Sequence, residues 1–264
     1  MAVNAMYTGM TGLDSFGNAI SIVSDNIANA NTTGYKSNTA LFGDLVCGYL
    51  ATEYSNTKAQ GAGSSLVGVE TDFGTGPTLH TGTWSDVMLQ GNGFFNVQND
   101  NGQLFYTRDG SFTVNNQGYL VDQHGYQVID ATSGGAIQIE ADPANPAYIS
   151  YEIDKYGDIY GTLPNGAGRD QIGTLRISTF PNPQGLIRNG GNLYYPGSGA
   201  GAPVNGTASS GPCGSVASGA IEGSNVDLAA EMVNLILYQA DYTANSKSIQ
   251  TANNMLETVV NMIR

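Results

Sequence analysis

The sequence of 264 residues is poor in positive charge, with nine Lys and Arg residues against 22 Asp and Glu residues and a formal net charge of −13. Nucleic acids and anionic membrane surfaces are recognised through Lys and Arg, so this balance argues against both as partners. No uninterrupted apolar run approaches the roughly 18 residues that a membrane-spanning helix needs. We therefore expect neither nucleic-acid binding nor membrane insertion.

The N-terminus lacks the pattern of a secretory signal peptide. Its first ten residues, MAVNAMYTGM, contain no Lys or Arg, and no continuous apolar segment follows them. We expect no cleaved signal peptide, which leaves export by another route open.

Residues that usually carry chemistry are scarce. The two cysteines, Cys47 and Cys213, lie far apart and form no CxxC motif. Neither His80 nor His124 has Cys or Glu at the spacing of a zinc site, and the Asp-rich turns lack the terminal Glu of an EF-hand loop. No nucleophile elbow or Walker loop is present, and no pair of carboxylates stands out for acid–base catalysis. We expect no metal, no cofactor and no catalytic site, and two unpaired cysteines are the simplest interpretation at this point.

Both ends of the chain carry apolar residues at heptad spacing, which predicts a long helix at each end. The C-terminal row consists of Leu228, Leu235, Tyr242, Ile249, Leu256 and Ile263, and the N-terminal row consists of Met6, Leu13, Ile20 and Ile27. The rows between them are half polar, and consist of Met232, Gln239, Ser246, Asn253 and Val260 at the C-terminus and Met10, Gly17 and Ser24 at the N-terminus. The matched spacing predicts that the two helices pair and bring the ends of the chain together.

The expected helix ends are marked by polar residues and glycine. Ser224 and Asp227 stand at capping-box spacing before the C-terminal helix. The N-terminal helix is expected to end near Asn31, because Gly34 can adopt the left-handed conformation of a helix exit. Nearby Asn side chains can bond the backbone there.

The outer faces of the predicted helices carry little charge. Between Leu228 and Ile263 the charged residues are Glu231, Asp241, Lys247 and Glu257. An isolated helix in water usually exposes more charge. We favour packing between subunits, with a monomeric helical hairpin as the alternative.

The middle of the chain is predicted to be β. From Thr81 to about Asp130, short apolar runs alternate with turns in which glycine recurs every seven or eight residues, a pattern typical of an antiparallel meander. Further strands are expected in AYISYEID, DIYGTL and IGTLRISTF. The weakly patterned segment 37–81 and the Gly-, Ser- and Pro-rich segment 194–220 are interpreted as connections. The predicted fold class is α+β, with paired terminal coiled-coil helices and an all-β antiparallel domain.

Several of these stretches resemble one family. SDNIANANTTGYKS, residues 24–37, is similar to the signature that closes the first helix of bacterial flagellar rod and hook proteins, although Asp25 departs from its first Asn. SDVMLQGNGFFNVQ, LFYTRDGSFTVNNQGYLVDQHGYQV and IEGSNVDLAAEMVNLI resemble the family's central and C-terminal segments. The signature positions that fit include Asn26, Asn29, Thr32, Gly34, Tyr35 and Lys36.

The resemblance implies a self-assembling axial structural protein rather than an enzyme. It implies a helical D0 domain of residues 1–34 and 224–264 around an export channel. It also implies a β-rich D1 domain of residues 81–195, joined by connecting segments 35–80 and 196–223. The chain has no room for the extra outer domain of the longer hook proteins, and distal rod proteins have about this length. Because GYKSNTALFGDLV and ETDFGTGPTLHTG resemble hook sequences more, we favour a short hook protein, with a distal or proximal rod protein as the alternative. A secreted β-rich adhesin is a remote alternative that leaves the matched heptads unexplained.

The resemblance also implies partners and a location. The partners would be further copies of the chain, neighbouring rod, hook-cap and hook–filament junction proteins, and the flagellar type III export apparatus. The location would be the hook or basal body. Because that assembly lies outside the cytoplasm, where disulfides persist, a Cys47–Cys213 disulfide becomes a second interpretation of the two cysteines.

Overall fold

The computed structural model describes residues 2–47, 60–139, 148–163 and 168–263. The chain divides into two compact units. The first, called the helical unit here, comprises Met1–Ala30, Ser37–Asp72 and Val226–Arg264. The second, called the β body, comprises Asn31–Lys36 and Phe73–Asn225. The predicted α+β class, with terminal helices and a central antiparallel β domain, is confirmed.

The helical unit is built on two long helices, α1 (Ala2–Ala28) and α2 (Leu228–Ile263). They pack antiparallel, since Gly9 lies against Ile249 and Gly17 against Tyr242. Asp227 caps α2, because its carboxylate accepts hydrogen bonds from the backbone N–H groups of the second and third helical residues at 2.9 and 3.3 Å. Neither helix, over its described residues, has the length and hydropathy needed to cross a membrane.

Small residues, rather than the predicted apolar row, form the buried face of α1. The buried positions among the described residues of this helix are Gly9, Gly12, Ser15, Ala19, Val23 and Asn26, of which the first four are small. A Cβ atom on Gly9 would lie 2.7 Å from Cγ1 of Ile249, which is closer than real side chains approach. Glycine at position 9 lets α1 and α2 pack more closely than Leu or Ile would permit. The short distance between the two helices therefore determines which residues fit on this face.

A hairpin covers α1 within the same unit. Strands β1 (Asn38–Cys47) and β2 (Gln60–Thr71) pair antiparallel, with two register irregularities. The hydroxyl of Ser15 donates to the carbonyl of Ser64 at 2.9 Å. Gly63 (φ 105°) brings the strand against Thr11, where a side chain would clash. The sequence-based interpretation of segment 35–80 as a connection was therefore wrong for most of its length. The glycines that weakened the periodic pattern of this segment, such as Gly63, allow β2 to approach α1 closely.

The β body contains the remaining sixteen strands named in the described residues, which form one large sheet and three smaller ones. The large sheet has the order β14-β15-β6-β5-β9-β8-β7, with β13 pairing both β5 and β16. The smaller sheets are β10-β11-β12, β17-β4 and β18-β3. The strands are β3 (Thr78–His80), β4 (Val87–Gln90), β5 (Phe94–Gln98), β6 (Leu104–Thr107), β7 (Thr113–Val114), β8 (Leu120–Val121), β9 (Gln127–Val128), β10 (Ser150–Ile153), β11 (Asp158–Thr162), β12 (Arg169–Thr174), β13 (Ile177–Thr179), β14 (Leu186–Gly190), β15 (Leu193–Pro196), β16 (Val204–Gly206), β17 (Ser215–Ser218) and β18 (Ala220–Glu222).

The core of the β body lies on both faces of β5. Phe95 and Val97 point into the larger cluster, where Phe95 packs edge-on against Phe112 with ring centroids 5.4 Å apart. Phe94 points into a second, aromatic cluster with Tyr106 and other rings. The alternation of a strand therefore serves two cores at once.

The predicted meander and the further strand candidates are present, but the predicted boundaries differ from those of the structure. Residues 31–36 belong to the β body, and the helical unit takes up residues 37–72. Segment 196–223, interpreted as a connection, supplies β16, β17 and β18. These strands have only three or four residues each, so periodicity carried too little information to reveal them.

Candidate assembly surface and signature turn

The predicted apolar rows lie mostly toward the interface between α1 and α2. Met6, Leu13, Ile20 and Ile27 are half-buried on α1. On α2, the half-buried members are Leu235, Ile249 and Leu256. Leu228 and Tyr242 are exposed, although Tyr242 still contacts α1 near Gly17. The side chain of Ile263 lies outside the described residues.

The row that completes the inward face of α2 differs by one position from the predicted row. Glu231, Tyr238, Asn245 and Ala252 turn inward. Of the predicted second row, Ser246 is half-buried, whereas Met232, Gln239, Asn253 and Val260 are exposed. Tyr238 packs with Phe16 and Phe42 at centroid distances of 6.1 and 6.0 Å. The facing surface of α1 consists mostly of small residues. Polar and aromatic side chains of α2 therefore occupy positions that Leu would occupy in a coiled coil with knobs-into-holes packing.

Outside the residues that turn inward, and in its last turns, α2 presents large apolar side chains to solvent. We call this surface the outer face. It consists of Met232, Val233, Ile236, Leu237, Met255, Val259, Val260 and Met262. Ile236 is 65% exposed, whereas its neighbour Leu235 is half-buried. Exposed apolar residues in such a run mark an interaction surface.

The hairpin adds exposed apolar residues to the helical unit. Val67 is 71% exposed, and Leu41, Val46 and Val69 are also exposed. Most large apolar side chains of this unit are therefore not enclosed within a single chain.

The first half of the signature lies in the helical unit and centres on Asn26, which is fully buried. Its amide donates to the carbonyl of Asn38 at 2.7 Å and to the carboxylate of Glu231 at 2.9 Å, and its oxygen accepts from the N–H of Asn38 at 2.9 Å. Asn26 thus joins α1, the hairpin and α2. Asn29 bonds back to Asp25, at 2.9 Å to the carbonyl and 3.0 Å to the carboxylate.

The second half of the signature lies in the β body. Gly34 (φ 66°) donates its N–H to the carbonyl of Glu222 at 2.8 Å, and a Cβ atom there would lie 2.7 Å from the backbone of Asp109. The carbonyl of Thr32 accepts a hydrogen bond from the N–H of Tyr35 at 3.4 Å. The ring of Tyr35 is buried beneath the guanidinium of Arg188, 5.1 Å from its centroid. Position 34 therefore requires Gly for two reasons, which are its left-handed backbone conformation and the close approach of the Asp109 backbone.

Lys36 ends the signature inside the β body. Its ammonium and the carboxylate of Glu222 are 0% exposed and lie 2.6 Å apart. The ammonium also donates to the carbonyl of Gly74 at 2.6 Å, and the same Glu222 oxygen accepts from the N–H of Gly76 at 2.8 Å. Removing the Glu222 carboxylate would take this buried counter-ion away from the Lys36 ammonium, which is strongly unfavourable.

Arg108 approaches the same carboxylate from the other side, with Nη1 3.7 Å from Oε2 of Glu222. Burial lowers the pKa of Arg108, and the nearby Glu222 carboxylate opposes this shift. Sequence reasoning did not single out Arg108 and Glu222, although both stand in stretches that resemble the family. Nothing in the spacing of residues 36, 108 and 222 indicates that they meet.

Of the two cysteines, the structure describes the side chain of Cys213. Cys213 is a free, buried thiol in the core of the β body, and burial raises its pKa. The side chain of Cys47 lies outside the described residues, so the Cys47–Cys213 disulfide stays a prediction. The described part of the chain contains no group of three or more His, Cys, Asp or Glu residues arranged to hold a metal ion.

Comparison with known proteins finds three family matches along the chain. Residues 6–36 match "Flagella basal body rod protein", residues 88–161 match "Flagellar hook protein FlgE/F/G D1 domain", and residues 217–262 match "Flagellar basal body rod FlgEFG protein C-terminal". The signature turn, the central strands of the β body and α2 all fall within these matches.

Individual relatives extend the match to the whole chain. The flagellar basal-body rod protein FlgG of Bacillus subtilis is 33% identical, covering 99% of this chain and 100% of the relative. FlgG of Borreliella burgdorferi is 32% identical, covering 99% of both. The flagellar hook protein FlgE of Salmonella typhimurium is 22% identical over an alignment of 406 positions that covers 96% of this chain and 98% of the relative. The chain belongs to the family of flagellar rod and hook proteins, the axial structural subunits of the flagellar basal body and hook.

Proposed function

We propose that this chain is a self-assembling subunit of the flagellar rod, in which the outer face of α2 packs against the helices of further copies. The observation that carries the proposal is the run of exposed apolar side chains on a helix that has few charges and already packs against α1. A surface of this kind in a soluble protein calls for a partner.

The magnitude of the contact favours a polymer over an isolated pair. Covering the exposed parts of eight large apolar side chains contributes on the order of 10 kcal/mol, which is comparable with the cost of ~4–15 kcal/mol for bringing two molecules together. A single such contact is therefore weak, and several per subunit are needed for a durable assembly.

The relatives favour the rod alternative over the hook interpretation that the sequence alone suggested. Relatives named as rod proteins match at 32–33% identity with nearly full coverage of both chains. The hook relative matches at 22% over 406 positions, so it carries sequence that this chain of 264 residues lacks. Rod and hook proteins adjacent to it in the flagellum, and the export apparatus, remain proposed partners.

The test is electron cryomicroscopy of isolated hook–basal bodies that carry a specific label on this protein. Label along the straight segment that crosses the envelope is expected, because the proposal places the subunit in the rod. Label along the curved extracellular segment would restore the hook interpretation, and absence from both would overturn assembly altogether. Ile236→Asp should remove the label from the assembly, whereas Asn253→Asp, a matched change at an exposed polar position on α2, should retain it.

A further inference from the structure

The β body has an open pocket of about 450 Å³ beside the paired strands β13 and β16, at the turn 131–134. None of the described residues that line this pocket is Asp or Glu. The chain as a whole carries 22 acidic residues against nine basic ones, so the lining departs from the composition of the chain. The polar side chains of the lining are those of Thr132, Ser133, Arg176, Asn205, Thr207 and Ser210.

Arg176 supplies the positive charge of the pocket. Its side chain is half-buried, and in the described part of the chain it forms no ion pair. Burial raises the pKa of the neighbouring Tyr106, and the charge of Arg176 opposes this rise. A tyrosine hydroxyl is neutral near pH 7, whereas a guanidinium keeps its charge. Arg176 therefore has a hydroxyl beside it but no paired carboxylate.

The carboxylate of Asp130, which begins the turn beside the pocket, is bound by its own surroundings. Its two oxygens accept hydrogen bonds from the N–H of Thr174 at 2.8 Å and from the N–H of Ser133 at 2.7 Å. Burial acts to raise the pKa of Asp130, but the hydrogen bonds from Thr174, Ser133 and Thr132 outweigh it and lower the pKa. Asp130 therefore stays charged and orders the turn, without forming an ion pair with Arg176.

Four further groups bring hydrogen-bond donors to the pocket. Oδ1 of Asn205 accepts a hydrogen bond from the hydroxyl of the buried Ser178 at 2.6 Å, which orients the amide and leaves its Nδ2 available. Within the described residues, neither this Nδ2 nor the hydroxyls of Thr132, Thr207 and Ser210 have a hydrogen-bond partner. Ligand sites are typically built in this way, from a few convergent polar groups in a concave surface.

We propose that this pocket binds a phosphate group, held by the guanidinium of Arg176 and by the amide and hydroxyl groups around it. A guanidinium binds phosphate oxygens with paired, directional hydrogen bonds. Donors that approach from several sides suit the oxygens of a tetrahedral anion better than the two oxygens of a planar carboxylate. The volume exceeds that of phosphate alone, so it also accommodates a small group that carries the phosphate.

The net charge of −13 acts against any anion from a distance. At physiological ionic strength, however, interactions between exposed charges are largely screened beyond about 8 Å. The groups that line the pocket therefore determine its affinity, and these comprise one cation and neutral donors.

The test is isothermal titration calorimetry of the purified full chain with inorganic phosphate. We expect saturable binding that Arg176→Gln weakens by about tenfold or more, because the charged donor is lost. Arg169→Gln is the matched control, since Arg169 lies on the exposed surface and pairs with Glu152 at 2.9 Å. It should change the affinity by less than about twofold. Heat without saturation, or equal affinities of the Arg176→Gln variant and the unchanged chain, would overturn the inference.

A second variant adds charge with little change in size. Asn205→Asp places a carboxylate in the pocket and should abolish saturable phosphate binding. Asn101→Asp is its control, because Asn101 is also exposed and also precedes a glycine, but lies in the turn between β5 and β6. Thermal melts confirm that each variant is folded. Unchanged phosphate binding by the folded Asn205→Asp variant would contradict the site.

Two further ligands identify the form of the phosphate. Tighter binding of glycerol 3-phosphate than of inorganic phosphate would support the site and assign it to an esterified phosphate. The reverse order would support the site and assign it to the free anion. Acetate tests the geometry of the donors, and acetate binding as tight as that of both phosphates would overturn the assignment to phosphate.

Discussion

The β body and the helical unit enclose their apolar residues to different extents. In the β body, eighteen buried apolar residues form one cluster, which includes Phe95, Val97, Leu175 and Ile177 at 0% exposure. In the helical unit, the most completely buried positions of α1 are small, and the large apolar side chains of α2 lie on the outer face. The β body therefore has a complete apolar core, whereas the helical unit has a partial core that contacts with further subunits would complete.

Both units bury neutral amides, such as Asn26 in the helical unit and Asn96 in the β body, but the buried charged residues of the described chain lie in the β body. The β body buries an ion cluster around Glu222, where each charge depends on the others. The helical unit buries a neutral amide, Asn26, and satisfies it with backbone groups and one carboxylate. We infer that single substitutions at buried positions destabilise the β body. Substitutions on the outer face of the helical unit should leave the stability of a single chain almost unchanged and should impair assembly.

The largest expected effect is in the core of the β body. Phe95→Ala should lower the free energy of unfolding by about 3–5 kcal/mol, because it removes a fully buried ring and leaves a cavity. Urea unfolding followed by far-ultraviolet circular dichroism measures the change. A loss below about 1 kcal/mol would mean that the β body is no more closely packed than the helical unit, and the comparison would fail.

The ion cluster is expected to come next. Glu222→Gln leaves Lys36 and Arg108 without their shared counter-charge, so the free energy of unfolding should fall by about 3 kcal/mol. Glu152→Gln is the matched control, because Glu152 pairs with Arg169 at 2.9 Å on the exposed surface. That change should cost less than about 1 kcal/mol. Equal losses would show that burial does not determine how much these charges contribute to the free energy of unfolding.

High pH tests the aromatic cluster of the β body. Burial raises the pKa of Tyr194 from 10.0 to about 12, since the phenolate is poorly solvated there. A raised folded-state pKa contributes stability that is complete below pH 10 and disappears as the pH rises toward 12, a loss of about 2–3 kcal/mol. Unfolding measured across this range should lose that slope in Tyr194→Phe. An unchanged slope would place the titration elsewhere.

Two glycines on one helix test whether the helical unit is closely packed. Gly9→Ala should destabilise the unit by about 1 kcal/mol, because overlap with Ile249 outweighs the gain in helix propensity. Gly17→Ala meets its nearest atom at 3.9 Å and should stabilise the unit by up to ~1 kcal/mol. Thermal melts monitored at 222 nm compare the two. Stabilisation by both would contradict the close helix packing.

The smallest effect on the stability of a single chain is expected on the outer face. Ile236→Ala should change the free energy of unfolding by less than about 0.5 kcal/mol, since the side chain is mostly exposed. Leu235→Ala, at the adjacent half-buried position, should cost about 1 kcal/mol. Incorporation into basal bodies should nevertheless be impaired by Ile236→Ala. Normal incorporation would argue against the outer face as the assembly surface.

Local patterns were sufficient for the elements that repeat. Heptad spacing predicted both helices, and glycine at short intervals predicted the meander between Thr81 and Asp130. The second row on α2 was wrong by one position, because an apolar residue such as Val260 has the same pattern whether it faces α1 or another subunit. The strands of segments 35–80 and 196–223 were missed. Strands β1 and β2 are long but lack a regular alternation of apolar and polar residues, and β16, β17 and β18 are too short to show one.

By itself, the sequence determined the two terminal helices, the central meander, the family and the expectation of assembly, because periodicity, turn residues and signature stretches are local properties. The tertiary structure alone decided that Lys36, Arg108 and Glu222 share one buried cluster, that small residues form the inner face of α1, and that residues 31–36 fold with the β body. Each of these depends on distances between residues far apart in the chain, and local preferences do not encode those distances.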